Sequence, residues 1–307
     1  MNKNKYTCLS PSFQRFQQLL PLILWLLLLF SGCCKNEEPV SGKALKFVIG
    51  GEGQVQADAI REIEIFVYDD KERLIGRTSS QIDGTVILDY PDIPTLYCIA
   101  WGNSKDDALE ISPVKTGDPM ENGYLALKAL LTTRTETQYY YMPPNLFRGI
   151  VKIDNNTVSD NTQEDRISML QTVTPVYITI RGLQNATGTD KGNYTITVGG
   201  AASRIDFMGS YGGIKTVHQL TGTFNAEKEY IIPVFYLFPL PVEGEGLTID
   251  IRHDGKLLKS ITKTNDGKPI VPLAGKPLEL RISFTLSGVD VNPPGWNSTD
   301  IEVNYPR

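Results

Sequence analysis

Apolar and polar residues alternate along most of this chain with a period of two. Residues 62–68, Glu-Ile-Glu-Ile-Phe-Val-Tyr, place Ile63, Ile65 and Val67 on one face, the signature of a half-buried strand. The polar run Asp69-Asp70-Lys71-Glu72 then supplies a turn before Leu74-Ile75. Further β-rich runs are Ala44–Ile49, Thr85–Leu88, Leu96–Trp101, Ile150–Ile153, Val176–Ile180 and Tyr194–Val198. The series continues with Tyr230–Phe238, Leu247–Ile251, Leu257–Ile261 and Leu278–Leu286. Asp-Gly pairs at 83–84, 254–255 and 266–267 mark turns between runs. The middle pair, with Ile249 and Ile251 before it and Leu257 and Leu258 after, is the clearest hairpin signal. Only Tyr124–Thr133 reads as helical, and it is short. Many short strands at roughly 8–12-residue spacing predict an all-β chain of sandwich type rather than an α/β fold.

The segment Asp154–Asp165 is polar throughout, with apolar runs resuming on both sides. Two β-sandwich domains are therefore expected, residues 41–155 and 165–307, joined by a linker at 156–164. The alternative is one long surface loop inside a domain.

The first residues follow another pattern. Basic Lys3, Lys5 and Arg15 precede the unbroken apolar run Leu19–Phe30, then Ser31-Gly32 and Cys33. That order is the order of a secretory signal peptide, and the run is shorter than the ~20 residues a spanning helix needs. Small residues directly before a cysteine resemble a bacterial lipobox, with 1–32 removed and Cys33 carrying the lipid. Phe30 stands where such sequences usually have Leu. An ordinary secreted protein with an incidental cysteine is the other reading. Each buried CH₂ adds about 0.8 kcal/mol, so several acyl chains would hold the ectodomain permanently on the outer membrane through a tether at 33–40. The acidic Glu37-Glu38 behind the cysteine is similar to a surface-export signal, or is simply solvated.

Removing 1–32 takes away three basic residues and no acidic one, so the formal charge moves from −5 to −8. An acidic ectodomain has no electrostatic reason to bind nucleic acid. Of four cysteines, Cys8 leaves with the signal, Cys33 and Cys34 are adjacent, and Cys98 lies in an apolar strand. Packing rather than disulfides is expected to hold the fold.

The search for chemistry finds little. His218 and His253 have neither metal-ligand spacing nor a nucleophile motif near them, and His253 is read as an exposed turn residue. Cys98 is read as a buried, inert thiol. Asp69 with Asp70 are solvated turn carboxylates. Gly209–Gly213 lacks the Lys and Ser/Thr of a phosphate loop. Tyr139-Tyr140-Tyr141 is either a sugar-stacking platform or strand aromatics divided between core and surface. Asn185 and Asn297 head glycosylation sequons that carry little meaning in a bacterium. No cofactor, metal or enzymatic activity is expected.

Several short motifs occur in a distinctive order: Phe66-Val-Tyr-Asp69, Tyr97-Cys-Ile-Ala-Trp-Gly-Asn103, Leu146-Phe-Arg-Gly149, Ile178-Thr-Ile-Arg-Gly-Leu183 and Ile205-Asp-Phe-Met-Gly209. With the lipobox they resemble the FimB-type fimbrial anchor family, the fimbrillin-associated lipoproteins of Bacteroidetes. Phe-Arg-Gly departs from the more usual Phe-Tyr-Gly or Phe-His-Gly. The resemblance implies two transthyretin-like β-sandwiches in a non-enzymatic lipoprotein that holds a pilus to the outer membrane, limits its length and contacts fimbrial pilin subunits.

Two rivals stand beside that reading. Shaft or tip pilins of such a system are cut after a basic residue behind their first strand, which frees a groove for a neighbour's strand. Here the residues from Gly50 to Ile60 contain no Lys or Arg, and Arg61 already opens the next strand. A surface glycan-binding lipoprotein would use aromatics such as Tyr139–Tyr141 or Trp296. For an anchor, the candidate pilin-contact strand is 298–305, where Ile301, Val303 and Tyr305 share one face behind the Pro293-Pro294-Gly295 break. Alternatively that segment is the last strand of the second domain's own sheet.

Overall fold

The computed structural model describes residues 42–50, 59–131, 137–156, 165–285 and 288–292. Among these, strands dominate, and three sheets organise them. The first has seven strands in the order β3-β2-β5-β8-β9-β1-β4. They are β1 (Lys43–Ile49), β2 (Ile63–Tyr68), β3 (Leu74–Ser80), β4 (Thr85–Leu88), β5 (Thr95–Gly102), β8 (Phe147–Asp154) and β9 (Asp165–Gln171). A five-stranded sheet follows, β13-β14-β10-β17-β18. It contains β10 (Thr174–Arg181), β13 (Thr223–Phe224), β14 (Tyr230–Leu237), β17 (Leu278–Thr285) and β18 (Gly288–Asn292). The third sheet runs β16-β15-β11-β7-β6, with β12 also paired to β11. Its members are β6 (Leu109–Ile111), β7 (Tyr124–Leu127), β11 (Tyr194–Asp206), β12 (Tyr211–Leu220), β15 (Thr248–His253) and β16 (Lys256–Ile261). One short helix, α1 (Leu183–Thr187), and a 3₁₀ turn at Met120–Asn122 complete the described elements.

The seven-stranded sheet encloses its own core. Leu45 and Phe47 of β1, Ile63, Ile65 and Val67 of β2, and Ile167 and Met169 of β9 meet in one cluster. The other two sheets face each other across a second core, with Val176, Ile178 and Ile180 of β10 against Ile196 and Val198 of β11 and Ile249 and Ile251 of β15. The predicted hairpin is present: Asp254 and Gly255 both take positive φ (46° and 79°), as the tight turn between β15 and β16 requires.

Four features depart from the sequence reading. Residues 124–127 form a strand, not the start of a helix; β7 lies between β6 and β11, with Leu125 and Leu127 buried. The helix-forming Leu and Ala of this stretch are overruled by tertiary pairing, and Leu131 is fully exposed. Strand β2 is buried on both faces rather than one. Strand β9, assigned by the linker reading to the second domain, completes the first sheet: it runs parallel to β1 and pairs with β8. Ile167 and Met169 alternate into the first core, which fixes it there. Finally, β12 was not anticipated, because Tyr-Gly-Gly-Ile-Lys carries no period-two signal.

Candidate functional site

The residues that carry the family resemblance meet in a third apolar cluster, a seam between the first sheet and the β11-β7-β6 end of the third. Phe66, Tyr68, Ile99 and Trp101 project from β2 and β5, while Leu125, Leu127, Ile205 and Phe207 face them. The Phe207 ring lies edge-on to Phe66 (centroids 4.7 Å apart) and 5.9 Å from Trp101. Arg148, the residue that departs from the usual motif, crosses this seam. Its Nε and Nη2 donate to the Phe207 carbonyl at 2.9 and 2.6 Å, and its guanidinium stands 6.0 Å from the Trp101 ring. Burial lowers the Arg148 pKa, while nearby Asp206 and Tyr211 oppose that effect. Tyr211, whose phenol burial pushes up to about 12, donates to the Thr172 carbonyl at 2.7 Å.

The long strand β11 makes the seam possible. Residues 194–199 pair with β15 over the second core, and residues 204–206 pair with β7 over the seam. Between them the register against β12 shifts from Gly199 to Ala202, a bulge that bends the strand from one layer to the next. The adjacent glycines at 199–200 were the sequence signal for that bend.

The expected chemistry residues are dispersed. Cys98 is fully buried in the first core; burial, then Asp165, pushes its thiol up to about 12, so it is not a nucleophile. Asp69 caps its turn, accepting from the Lys71 and Arg73 amides. His253 is not the exposed turn residue of the sequence reading. Its side chain is only 16% exposed, its ring sits 4.5 Å from Tyr194, and Nε2 bonds the Lys191 carbonyl at 2.8 Å. His218 is buried; Nδ1–H donates to the Tyr140 carbonyl at 3.1 Å, and Nε2 has no partner among the described residues. Burial holds its pKa down to about 4, against a small opposing effect of the Tyr140 bond. Tyr140 packs against the seam while Tyr141 is exposed. Among the described residues no three His, Cys, Asp or Glu side chains gather to hold a metal. Cys33, Cys34, Trp296 and the candidate contact residues Ile301, Val303 and Tyr305 lie outside the described residues.

Two β-sandwiches, with the first strand held inside the first sheet, define a protein of the fimbrial anchor fold. The structure matches that of the fimbrial anchor protein Mfa2 from Porphyromonas gingivalis with a TM-score of 0.60 and 14% identity, covering 83% of this chain and 97% of that one. The family profile described as fimbrillin-A associated anchor proteins Mfa1 and Mfa2 matches residues 35–304, and this chain belongs to that family. In sequence it is 24% identical over 289 residues to the major fimbrium anchoring subunit FimB of Porphyromonas gingivalis, spanning 88% of this chain and 90% of that protein.

Proposed function

We propose that this chain is a non-enzymatic outer-membrane lipoprotein that anchors fimbriae to the cell surface and limits their length, tethered by a lipid on Cys33. The observation that carries the reading is the setting of the first strand. β1 is an interior strand, antiparallel to β4 on one side and parallel to β9 on the other. The sequence behind it offers no Lys or Arg from Gly50 to Ile60, and the Arg61 amide is bonded to Asn103 Oδ1 at 2.9 Å, directly ahead of β2. A subunit that keeps β1 keeps the tether in front of it, and pull on that tether is spread over two ladders of backbone hydrogen bonds.

Contact with the first pilin is assigned to the C-terminal segment, with Ile301, Val303 and Tyr305 entering the neighbour's sheet as alternate apolar side chains. Both outer edges of the five-stranded sheet support donation over acceptance. Exposed Pro233 interrupts the edge of β14, and Asn265 occupies the edge of β18, exchanging bonds with Val291 at 2.9 and 3.2 Å.

Replacing Cys33 tests the reading. Cys33→Ala should abolish palmitate labelling, move the protein out of the membrane fraction and release fimbriae into the medium. Retained labelling would overturn the lipid assignment, and attached fimbriae with unlabelled protein would overturn the anchoring role.

A further inference from the structure

The outer face of the third sheet opens into a cleft of about 520 Å³ where β11 bends. Thr197 and Gly199 of β11, Lys215 and Val217 of β12, and Thr248 and Asp250 of β15 surround it. Their strand neighbours Val198, Ile249 and Ile251 belong to the second core, so these side chains point the opposite way, out of the fold.

The cleft owes its depth to glycines, and they differ in kind. Gly200 takes a φ of +108°, which the bulge demands. A Cβ on Gly246 would come within 2.8 Å of Pro269. Gly199 has neither reason: its φ is not in the left-handed region, and a Cβ there would meet nothing nearer than 3.8 Å. Glycine within a strand weakens the strand and often marks close approach of another molecule. The bareness of Gly199 serves only to keep the floor of the cleft open.

The walls indicate what enters. Thr197 and Thr248 offer hydroxyls, Asp250 a carboxylate, and Lys215 an ammonium paired with Glu245 at 2.8 Å, beside apolar Val217. One cation against two carboxylates does not suit a phosphate, and the small apolar area does not suit an acyl chain. Closely set donors and acceptors around a short apolar wall match the adjacent hydroxyls and C–H face of a sugar ring. The Tyr140 amide donates to the Val217 carbonyl at 3.0 Å, so the Tyr139–Tyr141 segment runs alongside β12 next to the cleft.

We infer that this cleft binds a neutral hexose unit of a surface polysaccharide, a contact separate from pilus anchoring. Saturation-transfer NMR of the full chain in detergent, with glucose, galactose, mannose and N-acetylglucosamine each at millimolar concentration, tests it. At least one sugar should receive saturation, and Gly199→Val and Asp250→Ala should each reduce it by about fivefold or more. Gly199→Val fills the floor without a clash and should melt at or above the parent temperature, which separates loss of binding from loss of fold. No transfer to any of the four sugars, or equal transfer in Gly199→Val, would overturn the inference.

Discussion

The two sandwiches bury their strands differently. In the second, strands keep one dry and one wet face: β10 alternates Val176, Ile178 and Ile180 inward with exposed Tyr177 and Arg181 outward. In the first, β2 is buried at every position and β5 nearly so, because a second layer covers them. Ile63, Ile65 and Val67 fill the first core, while Phe66 and Tyr68 from the same strand fill the seam. One strand thus serves two cores. The seam is what makes residues 42–307 hold together as one unit instead of dividing between the sandwiches.

If the seam couples the two sandwiches, breaking it should destabilise both. The largest effect is expected for Phe207→Ala, which removes a fully buried ring wedged between Phe66 and Trp101. A loss of about 3–5 kcal/mol is expected. Trp101 fluorescence and far-UV circular dichroism should then fall at the same lowered denaturant midpoint. Separate transitions in the parent protein would show that the sandwiches unfold independently.

Acid offers a sharper probe, because His218 reports on the third sheet and the first sandwich has no histidine. With a folded pKa of about 4 and a model value of 6.5, the unfolded chain takes up the proton first as pH falls. Stability should hold above pH 6.5 and decline between 6.5 and 4, by roughly 3 kcal/mol in total. In thermal melts across that range, His218→Gln should flatten the decline. An unchanged slope would assign the acid response to other groups.

The smallest expected effect is that of Arg148→Ala. It removes two charge-assisted bonds to the Phe207 carbonyl, worth about 2 kcal/mol, without emptying a core. Arg148→Lys should recover only part, since an ammonium cannot reproduce the paired geometry. A chemical-denaturation midpoint equal to the parent's in Arg148→Ala would mean that ring packing alone closes the seam.

Much of this architecture was legible in the residues. Period-two runs located β1, β2, β4, β10, β15 and β16 because a strand with one covered face must alternate, and Asp254-Gly255 marked its hairpin through its backbone preference. The buried thiol of Cys98 followed from its apolar neighbours, and the ordered motifs pointed to the family before any coordinates. What sequence could not supply were contacts between residues far apart in the chain. The burial of Phe66 and Tyr68 depends on Phe207, more than a hundred residues onward, and the strand at Tyr124–Leu127 exists only because β11 bends at Gly199-Gly200 to receive it. The cleft beside Gly199 arises from the same bend. Local pattern encodes which way a side chain faces along its own strand; only the packing of one sheet on another decides whether the reverse face is wet, buried or left open for a ligand.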